Sequence, residues 1–191
     1  MNVPAMILMS LLALTVAQGA QSADFYDTVS VGTLKGKLTV QWIEPDIFLF
    51  VPDTDSPLTF TRSNGEKIVP GRMLTDGGSV PRPLWILRNY SPWGYAPAFV
   101  VHDWLFEVHH CQYDGFKKYS YKDAASIMSE IMKTMMVLKK VEVDRLTLWS
   151  MHAAVASPIA EKQWDSGKCN PPPPGMFGGP KPLREYTIDF D

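Results

Sequence analysis

The adjacent residues His102 and Asp103 are the best candidates for chemistry, because an imidazole and a carboxylate stand in the middle of an apolar run. Pro97 suits the first turn of a helix that continues to about residue 108. A helix that is apolar on nearly all sides is buried, and an ionised carboxylate in it costs several kcal/mol unless it is paired, hydrogen-bonded or bound to a cation. Asp103 therefore needs a partner, which the residues leave open as a metal, an arginine or backbone donors.

The side chains of His102 and Asp103 are predicted to point away from each other, since adjacent residues on an α-helix diverge by about 100°. They are therefore not expected to form a His-Asp dyad. If the helix continues to residue 110, Asp103, Glu107 and His110 share one face and could bind a metal, although single spacings of this kind are common by chance. His152, near the apolar stripe of a later helix, is expected to be a hydrogen-bonded residue of the core or its boundary.

A loop that carries a carboxylate, a hydroxyl and a guanidinium precedes this helix. These groups belong to Asp76, Ser79 and Arg82, and Gly77 and Gly78 let bare backbone approach a neighbouring group. We predict that Asp76 joins the helix pair in a catalytic site and that the other four residues bind substrate at its rim. The competing interpretation is a polar turn in which Asp76 caps the bend and Arg82 pairs with the helix carboxylate.

The loop and the helix together resemble a bacterial and phage family known as domain of unknown function 1353. The family pattern, T-D-x-x-S-x-P-R followed by A-x-x-x-H-D-x-L-Y, is similar to residues 75–82 and 98–106, and the resemblance covers about residues 40–140. It implies a fold and a site but no established activity. Phe106 stands where the family usually has a tyrosine, so this chain lacks that hydroxyl.

A weaker likeness, of geometry and not of kinship, is to secreted phospholipases A2. In those enzymes a helix carries adjacent His and Asp residues, which activate a water and bind Ca²⁺. The likeness implies that His102 is a general base and that Asp103 binds Ca²⁺ beside the loop of Asp76, Gly77 and Gly78. We separately predict that Asp103 and Asp76 hold a divalent cation, Ca²⁺ or Zn²⁺. Asp123 would take the place of the aspartate that orients the histidine, but a predicted helix-capping role already accounts for it.

The elements that position these residues are strands followed by helices. Apolar and alternating stretches between residues 31 and 75 predict strands, and Asn64-Gly65 between two of them is a strong hairpin signal. Helical periods follow, interrupted at Pro158, and the helices are expected at about residues 96–108, 121–138 and 141–157. This order predicts an α+β fold, with a small antiparallel sheet packed on three helices.

The start of the chain is typical of a secretory signal. The first twenty-two residues carry no Lys, Arg, Asp or Glu, and small residues predict cleavage near residue 19 or 22. No transmembrane segment is expected after cleavage. Export to an oxidising compartment predicts that Cys111 and Cys169, the only two cysteines, form a disulfide. We therefore expect a signal peptide (1–22), one α+β domain (23–168) and an extended, loosely held Pro/Gly-rich tail (169–191).

The composition excludes two classes of protein. The formal net charge is -2 and 12% of the residues are aromatic, whereas a disordered chain has fewer aromatic residues and a nucleic-acid binder is usually basic. Two functions stay open. One is a periplasmic or secreted hydrolase, with His102 as general base, that acts on a cell-envelope lipid or on peptidoglycan. The other is a non-catalytic envelope or phage-associated module in which Asp76, Arg82, His102 and Asp103 form a buried polar network.

Overall fold

The described part of the computed structural model comprises residues 21–44, 47–75, 94–172, 182 and 184–191, and it has the predicted α+β fold. Its helices are α1 (residues 21–28), α2 (Ala96–Cys111), α3 (Tyr121–Val137), α4 (Arg145–Val155) and α5 (Pro158–Ser166). Its strands are β1 (Thr33–Lys35), β2 (Lys37–Glu44), β3 (Ile47–Pro52), β4 (Thr59–Thr61), β5 (Lys67–Ile68), β6 (Met73–Thr75) and β7 (Arg184–Asp189).

The strands form two antiparallel sheets in place of the single small sheet that the sequence predicts. One sheet has the order β1-β4-β5 and the other β6-β3-β2-β7. The predicted hairpin at Asn64-Gly65 is confirmed: it joins β4 to β5, and Gly65 has a φ of +85°, which favours glycine. In the second sheet β3 pairs with β6, and this pairing sets Thr75 opposite Phe48 at the end of β6.

The end of the chain belongs to the domain, so the prediction of a loosely held tail is wrong for residues 184–191. Strand β7 pairs along β2 from Lys37 to Trp42, and Phe190 is buried in the core. The Asp191 carboxylate then accepts hydrogen bonds from the Gly36 backbone N–H (3.0 Å) and the Ser56 hydroxyl (2.6 Å). The alternating side chains of β7 mark a strand, but the prolines and glycines before it dominate the composition of the tail.

A capping side chain marks the start of α3, α4 and α5. The predicted capping box of α3 is confirmed, since Ser120 and Asp123 exchange their side-chain and backbone bonds. Pro158 does follow the end of α4, but it also occupies the first turn of α5, a helix that the sequence analysis did not predict. Ser157 caps α5 by accepting a hydrogen bond from the Ala160 backbone N–H. Helix α2 continues to Cys111, one turn beyond the predicted end.

A continuous core joins both sheets to the helices in the described residues. Apolar side chains of all four helices from α2 to α5 contribute to it, together with side chains from strands of each sheet. Helix α1 is attached to the outside of this core. Lys133 Nζ donates hydrogen bonds to the carbonyl oxygen of Tyr26 in α1 (2.6 Å) and to that of Val29, just after α1 (2.7 Å). Within the described part of the chain, no helix is both long enough and apolar enough to cross a membrane.

The predicted disulfide is confirmed. Cys111, the last residue of α2, is bonded to Cys169, which follows α5. Neither cysteine is left as a free thiol in the described structure. Such a bond persists in oxidising compartments, so it agrees with a protein that matures outside the reducing cytoplasm.

Candidate functional site

A hydroxyl at the end of β6 binds the carboxylate of α2. Thr75 Oγ1 donates a hydrogen bond of 2.6 Å to Asp103 Oδ2. Asp103 therefore does have the partner that its position requires, but the partner is a neutral hydroxyl and was not among the alternatives from the sequence. The available signal was Thr75 at the head of the loop motif, in which only Asp76, Ser79 and Arg82 were expected to supply polar groups.

Asp103 also contacts its neighbour, so the prediction that the two side chains cannot meet is wrong. The distance between His102 Nδ1 and Asp103 Oδ1 is 3.4 Å, which is long for a hydrogen bond. The Cβ atoms do diverge around the helix, but rotation about the side-chain bonds brings a carboxylate oxygen back toward the imidazole. Thr75, Asp103 and His102 thus form a chain of contacts, which we call the relay.

The far nitrogen of the imidazole has no hydrogen-bond partner in the described structure. His102 is 2% exposed, its Nε2 is buried, and its ring packs against Phe106 with the ring centroids 4.8 Å apart. Because residue 106 is phenylalanine, that contact offers no hydroxyl to the imidazole. If Nδ1 donates to Asp103, Nε2 carries the lone pair and is the atom that can accept a proton.

The loop residues predicted for the site lie outside the described residues. These are Asp76, Gly77, Gly78, Ser79 and Arg82. Asp76 follows Thr75 directly in the chain, so the loop begins at the relay. The predictions that Asp76 completes the site and that the others bind substrate at its rim stay predictions, as does a cation held by Asp76 and Asp103.

The second metal hypothesis, with Asp103, Glu107 and His110 on one helix face, is not supported. Helix α2 does reach residue 110, but His110 Nε2 lies 3.0 Å from the carbonyl oxygen of Trp164 and 3.1 Å from that of Gln163. The His110 ring therefore caps the carboxyl end of α5. In the described part of the chain, the residues close enough to hold a metal ion together are Glu107, Cys111 and Cys169.

The expectation for His152 is confirmed. Its Nδ1 lies 3.0 Å from Ser129 Oγ, and its ring contacts Phe25 of α1 with centroids 4.6 Å apart. Burial lowers the pKa of His152, because the charged imidazolium would lose its hydration there. His152 is therefore a hydrogen-bonded residue at the boundary of the core.

A groove that the sequence analysis missed lies on another face of α2. It has a volume of about 850 Å³ and runs between β5, the second half of α2 and the segment that follows α2. Its walls include Lys67, Trp104, Val108, Tyr113, Lys118 and Tyr119. His102 does not line it, so this groove is not the open cleft beside the imidazole that would favour a hydrolase.

An ion-pair network borders the groove. Arg62 donates to both carboxylate oxygens of Glu130 (2.6 and 2.9 Å) and to Glu66 (2.9 Å). Glu66 also receives hydrogen bonds from Lys118 and Tyr119. Burial alone would raise the pKa of the Glu66 carboxyl, but the bonds from its three partners outweigh that effect and lower the pKa to about 2. The same carboxylates raise the pKa of Arg62, above all through the bonds to Glu130.

Comparison with known protein families gives one match. The model of a family described as "Protein of unknown function (DUF1353)" matches residues 54–155, which is more than half of the chain. The match includes the strands from β4 to β6, α2, α3 and α4, and therefore the whole relay. No curated protein and no solved structure matched the chain in the corresponding comparisons.

Proposed function

We propose, from the premise that the chain belongs to the DUF1353 family of proteins of unknown function, that it is an exported hydrolase with His102 as general base. The family description assigns no chemistry, so the proposal rests on the site. The observation that carries it is the buried Nε2 of His102, which lacks a hydrogen-bond partner in the described structure. A buried polar atom without a partner costs about 1–3 kcal/mol, and a role in catalysis is one reason for a protein to retain it.

The relay suits proton transfer at that atom. An Nδ1–H that donates to Asp103 leaves the lone pair on Nε2, where it can take a proton from a water molecule. The Asp103 carboxylate then stabilises the imidazolium that forms, while the 2.6 Å bond from Thr75 holds the carboxylate in place. The hydrolysis of a cell-envelope lipid or of peptidoglycan, with a divalent cation at Asp76 and Asp103, is the form of the reaction that we propose.

A second function is favoured by the burial of the same residue. His102 is 2% exposed, so the relay is also suited to a purely structural role in which it joins the end of β6 to α2. In that case the protein is a non-catalytic envelope or phage-associated module. The two functions differ in whether water and substrate reach Nε2.

Substitution of the imidazole separates the two functions. His102→Gln keeps a polar side chain of similar size but removes the base, and His109→Gln on the same helix is the matched control. Both variants and the parent are assayed against peptidoglycan sacculi and phospholipid vesicles, with Ca²⁺, with Zn²⁺ and with a chelator. The hydrolase predicts that the parent and His109→Gln turn over a substrate and that His102→Gln loses about 100-fold or more. An inactive parent, with a lower melting temperature for His102→Gln, would establish the structural module instead.

Export is the second part of the proposal, and α1 favours one of its two cleavage sites. The helix includes residues 21 and 22, and Ser22 is buried at 5% exposure. Cleavage near residue 19 keeps residues 21 and 22 of this helix, whereas cleavage after residue 22 removes them. We expect the intact mass of the exported protein to correspond to a chain that begins near Ala20. A full-length mass would contradict export.

A further inference from the structure

A carboxylate lies beside the disulfide. Glu107 lies one helical turn before Cys111 on α2, so the two side chains share a face. Glu107 Oε1 is 3.1 Å from Cys111 Sγ, and the two sulfurs and a Glu107 oxygen all lie within 4.8 Å of one another. Glu107 and Cys111 are partly buried, whereas Cys169 is exposed. These three residues, which we call the sulfur cluster, are separate from the relay.

We propose that the sulfur cluster becomes a three-ligand site for Zn²⁺ when the disulfide is reduced. The ligands are the thiolates of Cys111 and Cys169 and the carboxylate of Glu107. Thiolate and carboxylate are both ordinary ligands of this ion, and a site with three protein ligands leaves a fourth position to water. Reduction therefore switches the cluster from a covalent cross-link to a metal cross-link between the same two segments.

The distances already approach those of such a site. In a tetrahedral site with Zn–S of about 2.3 Å and Zn–O of about 2.1 Å, sulfur and oxygen lie about 3.6 Å apart and two sulfurs about 3.8 Å apart. The contact between Glu107 and Cys111 needs only a small adjustment. The larger shift falls on Cys169, which lies beyond the end of α5 in a segment without regular secondary structure.

The contacts around the cluster hold its segments in place after the disulfide opens. His110 caps the carboxyl end of α5, and the ring of His109 stacks on Trp164 with centroids 4.2 Å apart. Reduction is therefore expected to free the sulfurs without separating α5 from α2.

The chemistry balances with an external dithiol as the reductant. The dithiol gives two electrons and two protons to the Cys111–Cys169 bond, so that it closes to a disulfide while the two cysteines become thiols. Zn²⁺ then replaces both thiol protons, which leave to solvent. The exposure of Cys169 gives the reductant a sulfur to attack.

Metal binding before and after reduction tests the proposal. The full protein is treated with a phosphine reductant and desalted without oxygen, and Zn²⁺ affinity is measured by competition with a chromogenic chelator. Co²⁺ is the spectroscopic probe, because thiolate ligands give it a charge-transfer absorption. We expect one equivalent of Zn²⁺ and this absorption in the reduced protein, and neither in the oxidised protein. Far-UV circular dichroism of the reduced protein checks that the fold is kept.

Variants assign the ligands. Glu107→Gln is expected to weaken Zn²⁺ binding by about 10-fold or more, an effect at least as large as that of residues that only support a ligand. Glu161→Gln, an exposed glutamate on α5, is the matched control and should bind like the parent. The double variant Cys111→Ser/Cys169→Ser should bind no metal. The proposal is overturned if reduction unfolds the protein, if the reduced parent binds no Zn²⁺, or if either the serine variant or Glu107→Gln binds as the parent does.

Discussion

Two groups of polar side chains pack against the helices, and they differ in how completely their hydrogen bonds are satisfied. We call the ion-pair network that borders the groove the Arg62 network. In it all four carboxylate oxygens of Glu66 and Glu130 accept a hydrogen bond. In the relay Asp103 is held at both oxygens, yet the chain ends at a buried nitrogen of His102 without a partner in the described structure. Among the described residues, every carboxylate oxygen of the first group is paired, whereas the second group ends at a nitrogen without a hydrogen-bond partner.

The difference bears on the roles that the two groups can have. A network that only joins a sheet to a helix gains most when every buried polar atom is paired, because each unpaired one costs about 1–3 kcal/mol. The Arg62 network, which joins the β4–β5 hairpin to α3, meets that condition. Within the described residues the relay keeps a buried nitrogen without a partner, and this contrast supports the proposal that Nε2 of His102 serves a substrate or a water molecule.

The largest expected effect comes from removing the Arg62 guanidinium from its network. Arg62→Ala leaves the buried carboxylate of Glu130 without the guanidinium that binds both of its oxygens. We expect the free energy of unfolding to fall by about 3–5 kcal/mol, as when one partner of a buried ion pair is removed. Urea denaturation measures the change, with Lys67→Ala as an exposed control that should stay within about 0.5 kcal/mol of the parent. A loss below about 1 kcal/mol for Arg62→Ala would contradict a stabilising role for the network.

Low pH is a second way to disrupt the same network, because it protonates Glu66. The pKa of Glu66 is about 2 in the folded protein against 4.5 for the ordinary carboxyl, so the unfolded chain binds more protons between these values. The stability that Glu66 contributes is present above pH 4.5 and is lost as the pH falls from 4.5 toward 2. Urea midpoints measured across this window should fall with the pH. Glu66→Gln should flatten that slope, while Glu161→Gln should leave it unchanged.

A smaller effect on stability is expected in the relay, together with a large one on activity. Asp103→Asn keeps an oxygen that accepts the hydrogen bond from Thr75, and it removes a charge instead of stranding one. We expect a loss of about 1 kcal/mol in urea denaturation. If the hydrolase proposal holds, turnover should fall by about 100-fold or more. Asp114→Asn, an exposed aspartate, is the control for both measurements. Full activity in Asp103→Asn would remove Asp103 from the mechanism.

The fold was predictable to the extent that local patterns determined it. The capping box at Ser120 and the Asn64-Gly65 turn are local, and both are confirmed. The division of the strands between two sheets and the pairing of β7 with β2 depend on contacts between residues far apart in the sequence, which no local period encodes. Helix α5 was missed because its nine residues, of which the first is a proline, carry too short a period to stand out.

The candidate site was predictable in residue type but not in its contacts. The carboxylate in an apolar helix correctly indicated that Asp103 has a partner, because the cost of an unpaired buried charge holds for any fold. The identity of the partner depends on where the end of β6 lies relative to α2, and this is determined by the tertiary structure. The contact between His102 and Asp103 was wrongly excluded because Cβ directions alone do not account for the reach of the side chains.

The smallest expected effect concerns His152, a partly buried histidine, in comparison with the fully buried His102. His152 differs from His102 because its Nδ1 lies 3.0 Å from the Ser129 hydroxyl, and burial lowers the pKa of His152 below the ordinary 6.5. The unfolded chain therefore binds more protons between the lowered value and 6.5, so the stability contributed by neutral His152 is present above pH 6.5 and is lost as the pH falls below it. The melting temperature should decline gradually from pH 7.5 to pH 5. His152→Gln should reduce this decline and His109→Gln should not. If the melting temperatures of both variants decline like that of the parent, the neutral imidazole of His152, which contacts α1, does not contribute to stability. The comparison would then no longer show a structural role for the hydrogen-bonded His152.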